Sequence, residues 1–295
     1  MSPSAPVDID CTSPPFDRFV GIHRLAARRS GHASTEHARH QLYVARDRRS
    51  RESMLIKVTS KPGLVYERDI TNELATLSTI NRELPDSRYF PVVGEHGRLA
   101  DGRVYLTMSC FDEWPLATMI GVERDSTKQV AHLLTTIEIA RALAALHHLQ
   151  IWHVDLNPMN ILCRWESGKP VIRIVDFESS YESARHASGV FYNPPTTSGF
   201  TAPELSRQAP DARADIFSLA AVLYTMLAGY EWTWVTDIRR GVDADPEVAP
   251  DLKKILFTAV DDDPGRRYSS IAELRVALAA YLERIWPGRS WYEPL

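Results

Sequence analysis

The hydrophobic period changes once along this chain, and that change restricts the fold more than any other feature. Before Trp114 the apolar segments are short and bounded by turn residues: QLYVA (41–45), MLIKV (54–58), YFPVV (89–93) and RVYLTM (103–108), with Asp101-Gly102 among the breaks. One helix interrupts them, because Ile70, Leu74, Leu77 and Ile80 in ERDITNELATLSTI recur at threes and fours. After Trp114 long helical patterns take over. TKQVAHLLTTIEIARALAALHH repeats Val130, Leu133, Leu134 and Ile137, then Ile139, Leu143 and Leu146, at helical spacing. The pattern predicts an α+β protein of two lobes, a small antiparallel sheet with one helix and a larger helical part.

The 295 residues allow one large domain or two smaller lobes. The expected divisions are a mobile tail over 1–17, rich in Pro and Ser; an N-lobe with its hinge over 18–111; a C-lobe over 112–286; and a tail over 287–295. No internal repeat interrupts this order.

Composition then removes several classes. Hydrophobic residues at 44% and charged residues at 24% are ordinary for a globular protein, so disorder is not the default. A net charge of −4 argues against a nucleic-acid partner held by bulk electrostatics. The three cysteines, Cys11, Cys110 and Cys163, are far apart and lack metal-ligand spacing, so neither a disulfide framework nor a zinc site is expected and a reducing cytoplasm fits. The stretch IFSLAAVLYTMLA, Ile216 to Ala228, is shorter than the roughly 20 residues of a membrane span and reads as a buried core helix. MSPSAPVDIDCTSPP has neither a basic start nor an apolar segment, so no secretory signal and no membrane partner are expected.

One β-signal sits inside the helical part. ILCRW and VIRIV flank Glu166-Ser167-Gly168-Lys169, which is turn chemistry, so residues 161–175 read as a hairpin. A hairpin brings its ends together, which sets Asn160 beside Asp176, with Asp155 of HVDLNPMN one short loop away. Two carboxylates and an amide oxygen suit a hard cation such as Mg²⁺. The competing reading is a polar network that only caps the hairpin. In MLIKV, Lys57 lies in a run apolar enough to be buried on both faces, where an unpaired ammonium is costly. Glu73 shares the helix face of Ile70 and Leu77 and so offers the partner, whereas Glu67 falls off that face. A purely structural ion pair stays open at this point.

Together these motifs resemble the protein kinase family, in particular bacterial kinases of the eukaryotic Ser/Thr type, from about Phe19 to Trp286. Lys57 resembles the family's phosphate-contacting lysine, Glu73 its helix partner, HVDLNPMN the catalytic loop, and VDFE the metal-binding D-F-G. Ala202 to Glu204 resembles A-P-E, Asp215 in ADIFSL the buried helix aspartate, and Arg267 in DPGRRYSS the arginine that pairs with Glu204. The resemblance implies ATP and Mg²⁺ as cofactors and a protein substrate. It implies Asp155 as base, Asn160 and Asp176 as metal ligands, and Lys57 on the phosphates. It also implies Met108 at the back of an adenine pocket, Ser109, Cys110 and Phe111 as the hinge, Leu162 against the base, and Thr197 bonded to Asp155.

Four departures from the pattern are visible. No Gly-rich loop is recognisable, since between Phe19 and Leu42 the only glycines are Gly21 and Gly31. Arg28, Arg29 or Arg39 could replace its backbone amides with side chains, or the segment is a solvated loop; the spacing of His37 and His40 within it reads as surface polarity and only weakly suggests a metal. Glu178 stands where the glycine of D-F-G belongs, as in the D-F-E of some small-molecule kinases, and restricts movement of that segment. Val154 replaces an arginine that receives an activation-segment phosphate, so activity is expected not to require phosphorylation of residues 179–198. Asn157 occupies a position where Ser/Thr kinases usually carry lysine, although Thr197, seven residues before Glu204, fits that class. Two alternatives remain beside a Ser/Thr protein kinase: a pseudokinase scaffold and a small-molecule kinase.

Overall fold

The computed structural model describes residues 9–25, 39–121, 125–187, 195, 197–229 and 237–287. The chain forms two compact units, Met1–Glu113 with Val175–Glu178, and Trp114–Ile174 with Ser179–Leu295. The division falls between 113 and 114, where the sequence placed it between 111 and 112. A four-residue segment after the hairpin belongs with the first unit.

The first unit is a five-stranded antiparallel sheet in the order β1-β2-β3-β5-β4. Its strands are β1 (Phe19–Arg24), β2 (His40–Asp47), β3 (Ser53–Thr59), β4 (Val93–Arg98) and β5 (Val104–Ser109), with one long helix, α1 (Leu64–Glu83). Alternation on β2 and β3 turns Tyr43, Ala45, Ile56 and Val58 to one face, where they pack with Phe19 and Tyr105. Lys57 points from the opposite face of β3, and α1 covers it with Ile70, Glu73, Leu77 and Ile80, all buried.

Two expectations are corrected here. Residues 9–17 are not a loose tail: Ile9 and Phe16 belong to the sheet's core, and Phe16 meets Tyr105 edge-on with ring centroids 5.2 Å apart. Burial of two large apolar side chains outweighs the Pro and Ser composition around them. Residues 1–8 lie outside the described residues. YFPVV is not a strand. Pro91 has no N–H to give a ladder, and Asn81 instead clasps this stretch, donating to the Pro91 carbonyl at 2.9 Å and accepting from the Val93 N–H at 2.8 Å. The strand starts at Val93 and runs through VGEHGR, whose two glycines conceal it from pattern reading.

The second unit begins with the short strand β6 (Trp114–Pro115) and helix α2 (Gln129–His148), followed by β7 (Ile151–Trp152) and the hairpin β8 (Ile161–Glu166) and β9 (Lys169–Ile174). Ser167 and Gly168 alone make the turn, with φ of 50° and 78°, the two positive angles that a right-twisted hairpin favours. β10 (Tyr181–Glu182) and the one-turn α3 (Ser183–Ala187) lead toward α4 (Ala212–Ala228), α5 (Ile238–Ala244), α6 (Pro250–Ala259) and α7 (Ile271–Ile285). Asp211 caps α4 by accepting from the Arg213 N–H at 2.8 Å, and Gly229, at φ 66°, ends it. Ser270 caps α7 while Glu273 reaches back to the Ser269 N–H at 2.8 Å. By length and composition α2 could cross a membrane, but 61% of its apolar window is buried inside the structure, as in a core helix. Trp286 is the half-buried C-cap of α7; Trp291 and Tyr292 lie outside the described residues.

Candidate active site

In the first unit the chemistry centres on Lys57. Its Nζ lies 2.6 Å from Glu73 Oε2 and 3.1 Å from Asp176 Oδ1, and it also pairs with Glu178 Oε1. Burial alone would lower this ammonium's pKa. The charges of Asp176, Glu178 and Glu73 outweigh burial and hold it well above the ordinary lysine value. Glu67, the alternative partner, instead receives a two-pronged bond from Arg98 at 2.7 and 2.8 Å.

The segment carrying Asp176 is fixed to α1 through its backbone. The Phe177 N–H donates to Glu73 Oε1 at 3.1 Å, and Asn72 Nδ2 donates to the Glu178 carbonyl at 2.8 Å. Phe177 is fully buried and meets Phe90 edge-on with centroids 6.0 Å apart. Asp176 itself adopts φ 66°, a left-handed conformation that a short polar residue tolerates.

His40 is a buried contact of Glu178, not the surface polarity that its spacing from His37 suggests. Its side chain is only 6% exposed, with Nδ1 at 2.7 Å from Glu178 Oε1 and Nε2 at 3.2 Å from the Tyr66 carbonyl. Both nitrogens therefore face acceptors. Burial would lower the His40 pKa, but the bond to Glu178 and its charge raise it above the ordinary value, and His40 and Lys57 in turn hold Glu178 far below the usual carboxylate range. Arg39, a candidate phosphate ligand, is engaged elsewhere, with Nη1 2.8 Å from Asp69 Oδ2 on α1. Arg28, Arg29, Gly31 and His37 lie outside the described residues.

Met108, nearly fully buried on β5, is followed by Ser109, Cys110 and Phe111. The Ser109 and Cys110 N–H groups already donate, to the Val92 carbonyl at 2.9 Å and the Ser53 carbonyl at 3.0 Å. These two donors are thus committed to the sheet.

In the second unit the loop after β7 carries Asp155. Thr197 Oγ1 donates to Asp155 Oδ1 at 2.6 Å, and Asn160 Nδ2 donates to the Asp155 carbonyl at 2.9 Å. That bond commits the amide nitrogen of Asn160 and does not involve its amide oxygen. Asn157, at the family's lysine position, is buried and turned into the loop, bonding the Asp155 carbonyl at 3.0 Å and the Met159 N–H at 2.9 Å. It braces the loop and does not reach outward.

Beneath the loop, the fully buried Asp215 accepts from the His153 N–H at 3.0 Å, the Val154 N–H at 2.7 Å and His147 Nε2 at 2.8 Å. Burial would raise its pKa, and these bonds bring it below the ordinary value instead. They hold Val154 at φ 69°, a conformation that costs a β-branched residue on the order of 1–3 kcal/mol. Glu204 and Arg267 form a two-pronged pair at 2.7 Å on each arm, and Arg267 also bonds the Asp261 carbonyl at 2.7 Å and the Arg213 carbonyl at 2.9 Å. Leu162, read as an adenine contact, is half-buried on β8, opposite Pro115 and Arg173. A cavity of about 690 Å³ in this unit, lined among others by Thr201, Phe217 and Arg240, holds none of these residues.

Sequence reasoning missed Phe16, His40 as a contact of Glu178, and Asn72. Only the periodicity of α1 signals the last, which lies one residue before Glu73.

Comparison with known proteins agrees with this geometry. Residues 40–275 match the protein kinase domain. Human ribosomal protein S6 kinase alpha-2 is 40% identical over 151 residues, which is 50% of this chain and 20% of that protein. Mouse ribosomal protein S6 kinase alpha-3 is 41% identical over 124 residues, 41% of this chain and 16% of that protein. The chain thus spans a fifth or less of the length of these relatives. Among solved structures, the PknI kinase domain of Mycobacterium tuberculosis superposes with a TM-score of 0.58 at 20% identity, covering 89% of this chain and 96% of that one. A double mutant of that domain gives 0.60 at 19% identity, covering 90% and 96%. With four-fifths of its length matched, with Lys57 paired to Glu73 in one unit and Thr197 bonded to Asp155 in the other, the chain belongs to the protein kinase domain family.

Proposed function

We propose that the chain transfers the γ-phosphoryl group of ATP to a Ser or Thr hydroxyl of a protein substrate. The observation that carries this reading is the 2.6 Å bond from Thr197 Oγ1 to Asp155 Oδ1. It supports an Asp155 carboxylate that accepts from an aliphatic hydroxyl at the distance a general base requires. In the reaction, the substrate oxygen bonds to the γ-phosphorus as Asp155 takes its proton, and ADP leaves. Lys57 holds the phosphates, with Glu73 fixing its ammonium. The family resemblance assigns the adenine contacts to Met108, Ser109, Cys110, Phe111 and Leu162, through groups other than the Ser109 and Cys110 N–H, which are already bonded to Val92 and Ser53.

The family resemblance assigns Mg²⁺ to Asp176 and Asn160, and each taken singly suits a hard cation: Asp176 has a carboxylate 38% exposed at its side chain, and Asn160 an amide oxygen not used in its bond to Asp155. When bound, this ion neutralises charge on the phosphates. Free Cys11, Cys110 and Cys163 support a reducing, cytoplasmic setting.

The test is transfer of labelled γ-phosphate to a protein acceptor. Asp155→Asn is expected to lower the rate by about 10²–10⁴-fold, the usual range for loss of a general base, with the melting temperature retained. Transfer undiminished in the variant would remove Asp155 from the chemistry. No transfer by the wild type, despite ATP binding, would favour a scaffold, a reading that the crowded Lys57 supports.

A further inference from the structure

The three carboxylates around Lys57 raise a counting problem. An ammonium has three donors and no acceptor, and here Glu73 Oε2, Asp176 Oδ1 and Glu178 Oε1 each stand against Nζ. No donor is left over for a phosphate oxygen. One carboxylate must therefore yield when a nucleotide's phosphates reach Lys57.

Glu73 is unsuited to yield: it is about 1% exposed, and its other oxygen holds the Phe177 N–H. Asp176 sits in a left-handed backbone conformation beside Phe177, whose N–H is bonded to Glu73 and whose buried ring packs on Phe90. Glu178, 20% exposed at its side chain against 38% for Asp176 and about 1% for Glu73, is distinguished by a second partner on the same oxygen: the Oε1 that meets Lys57 also lies 2.7 Å from His40 Nδ1. A partner for the released carboxylate is already in place. Its backbone need not move, because Asn72 holds the Glu178 carbonyl at 2.8 Å whichever cation the side chain faces.

We infer that Glu178 is an internal stand-in for a nucleotide phosphate: it occupies the third donor of Lys57, sets the affinity for ATP, and withdraws onto His40 when phosphate binds. This inference rests on the proposed ATP-dependent activity and adds to it a residue that controls nucleotide affinity. A contact present nine-tenths of the time leaves one-tenth of the protein competent and raises the apparent Kd about tenfold.

The experiment titrates the full chain, as wild type, Glu178→Gln and Glu178→Gly, with ATP plus Mg²⁺ and separately with adenosine, which carries the base and no phosphate. Glu178→Gln keeps the side chain's size and removes its charge, so it reports even if Glu178→Gly loosens the segment. The expected result is an ATP Kd about tenfold lower in Glu178→Gln, with the adenosine Kd unchanged. Unchanged or weaker ATP binding in that variant would overturn the inference, and so would equal tightening of ATP and adenosine. Failure of all three folded proteins to bind ATP would remove the nucleotide reading itself, an outcome distinct from an ATP Kd that is measurable and insensitive to residue 178.

Discussion

Thr197 touches Asp155 through one hydroxyl, Oγ1 to Oδ1 at 2.6 Å, and the contact fixes which carboxylate oxygen faces the activation segment. Thr197→Val keeps the shape of the side chain and removes that donor. Steady-state kinetics are expected to show kcat reduced about ten- to a hundredfold, with KM for ATP unchanged, because a bond to the base acts on the chemical step. Thr197→Ser should restore most of the rate. A Thr197→Val enzyme with wild-type kcat would show the hydroxyl to be dispensable.

Among the described residues, Lys57 is the only cation in direct contact with Glu73, Asp176 and Glu178 together, so the members of this cluster are unequal. Lys57→Met leaves three carboxylates facing one another, whereas Glu73→Gln leaves an ammonium with two partners. Breaking a buried pair by removing one side costs about 3–5 kcal/mol. Denaturant unfolding is expected to show that loss in full for Lys57→Met and a smaller one for Glu73→Gln. The reverse order would mean that burial of Lys57, and not its charge, dominates.

His40 and Glu178 predict a pH dependence of definite sign. The folded-state pKa of His40 is raised, because the Glu178 bond and charge and the Tyr66 carbonyl together outweigh burial and the nearby Lys57 ammonium. A raised histidine contributes stability that is fully present below the ordinary value of about 6.5 and is lost as pH rises through the folded value. The stability difference between wild type and His40→Gln, measured in urea, should therefore be larger at about pH 6 than at about pH 9. Equal differences at both ends would mean that His40 is neutral throughout.

Arg267 is fully buried at its side chain and spends its donors on Glu204, Asp261 and Arg213. Lysine cannot reproduce that planar fork. Arg267→Lys is expected to destabilise the protein by about 3 kcal/mol, read as an earlier unfolding midpoint, and Glu204→Gln by a similar amount. Additivity of the two losses in the double variant would show that the pair is not coupled.

Where local patterns carry the information, the sequence was readable. The apolar run around Lys57 and the three- and four-residue spacing through Glu73 anticipate two elements whose side chains meet at 2.6 Å. The turn at Ser167-Gly168 anticipates a hairpin whose register pairs Ile161 with Ile174. Other features depend on partners distant in sequence. His40 and Glu178 meet although 138 positions apart in sequence, and nothing local to either residue marks the contact. YFPVV has strand composition, yet Pro91 and the clasp of Asn81 make it a loop. Ile9 and Phe16 are two apolar residues in a Pro- and Ser-rich stretch, and only the exposed face of a sheet formed later in the chain gives them somewhere to go.

That last packing has a practical corollary for anyone preparing the protein. The family match opens at residue 40, downstream of β1 and of Phe16. Recombinant material trimmed to the match would strip Tyr43, Ala45, Ile56 and Val58 of the covering that Ile9, Phe16 and Phe19 supply and leave β2 as a bare sheet edge, a surface prone to self-association. Insolubility of such a truncated sample would reflect the missing leader strand, and beginning the expressed sequence before Ile9 should cure it.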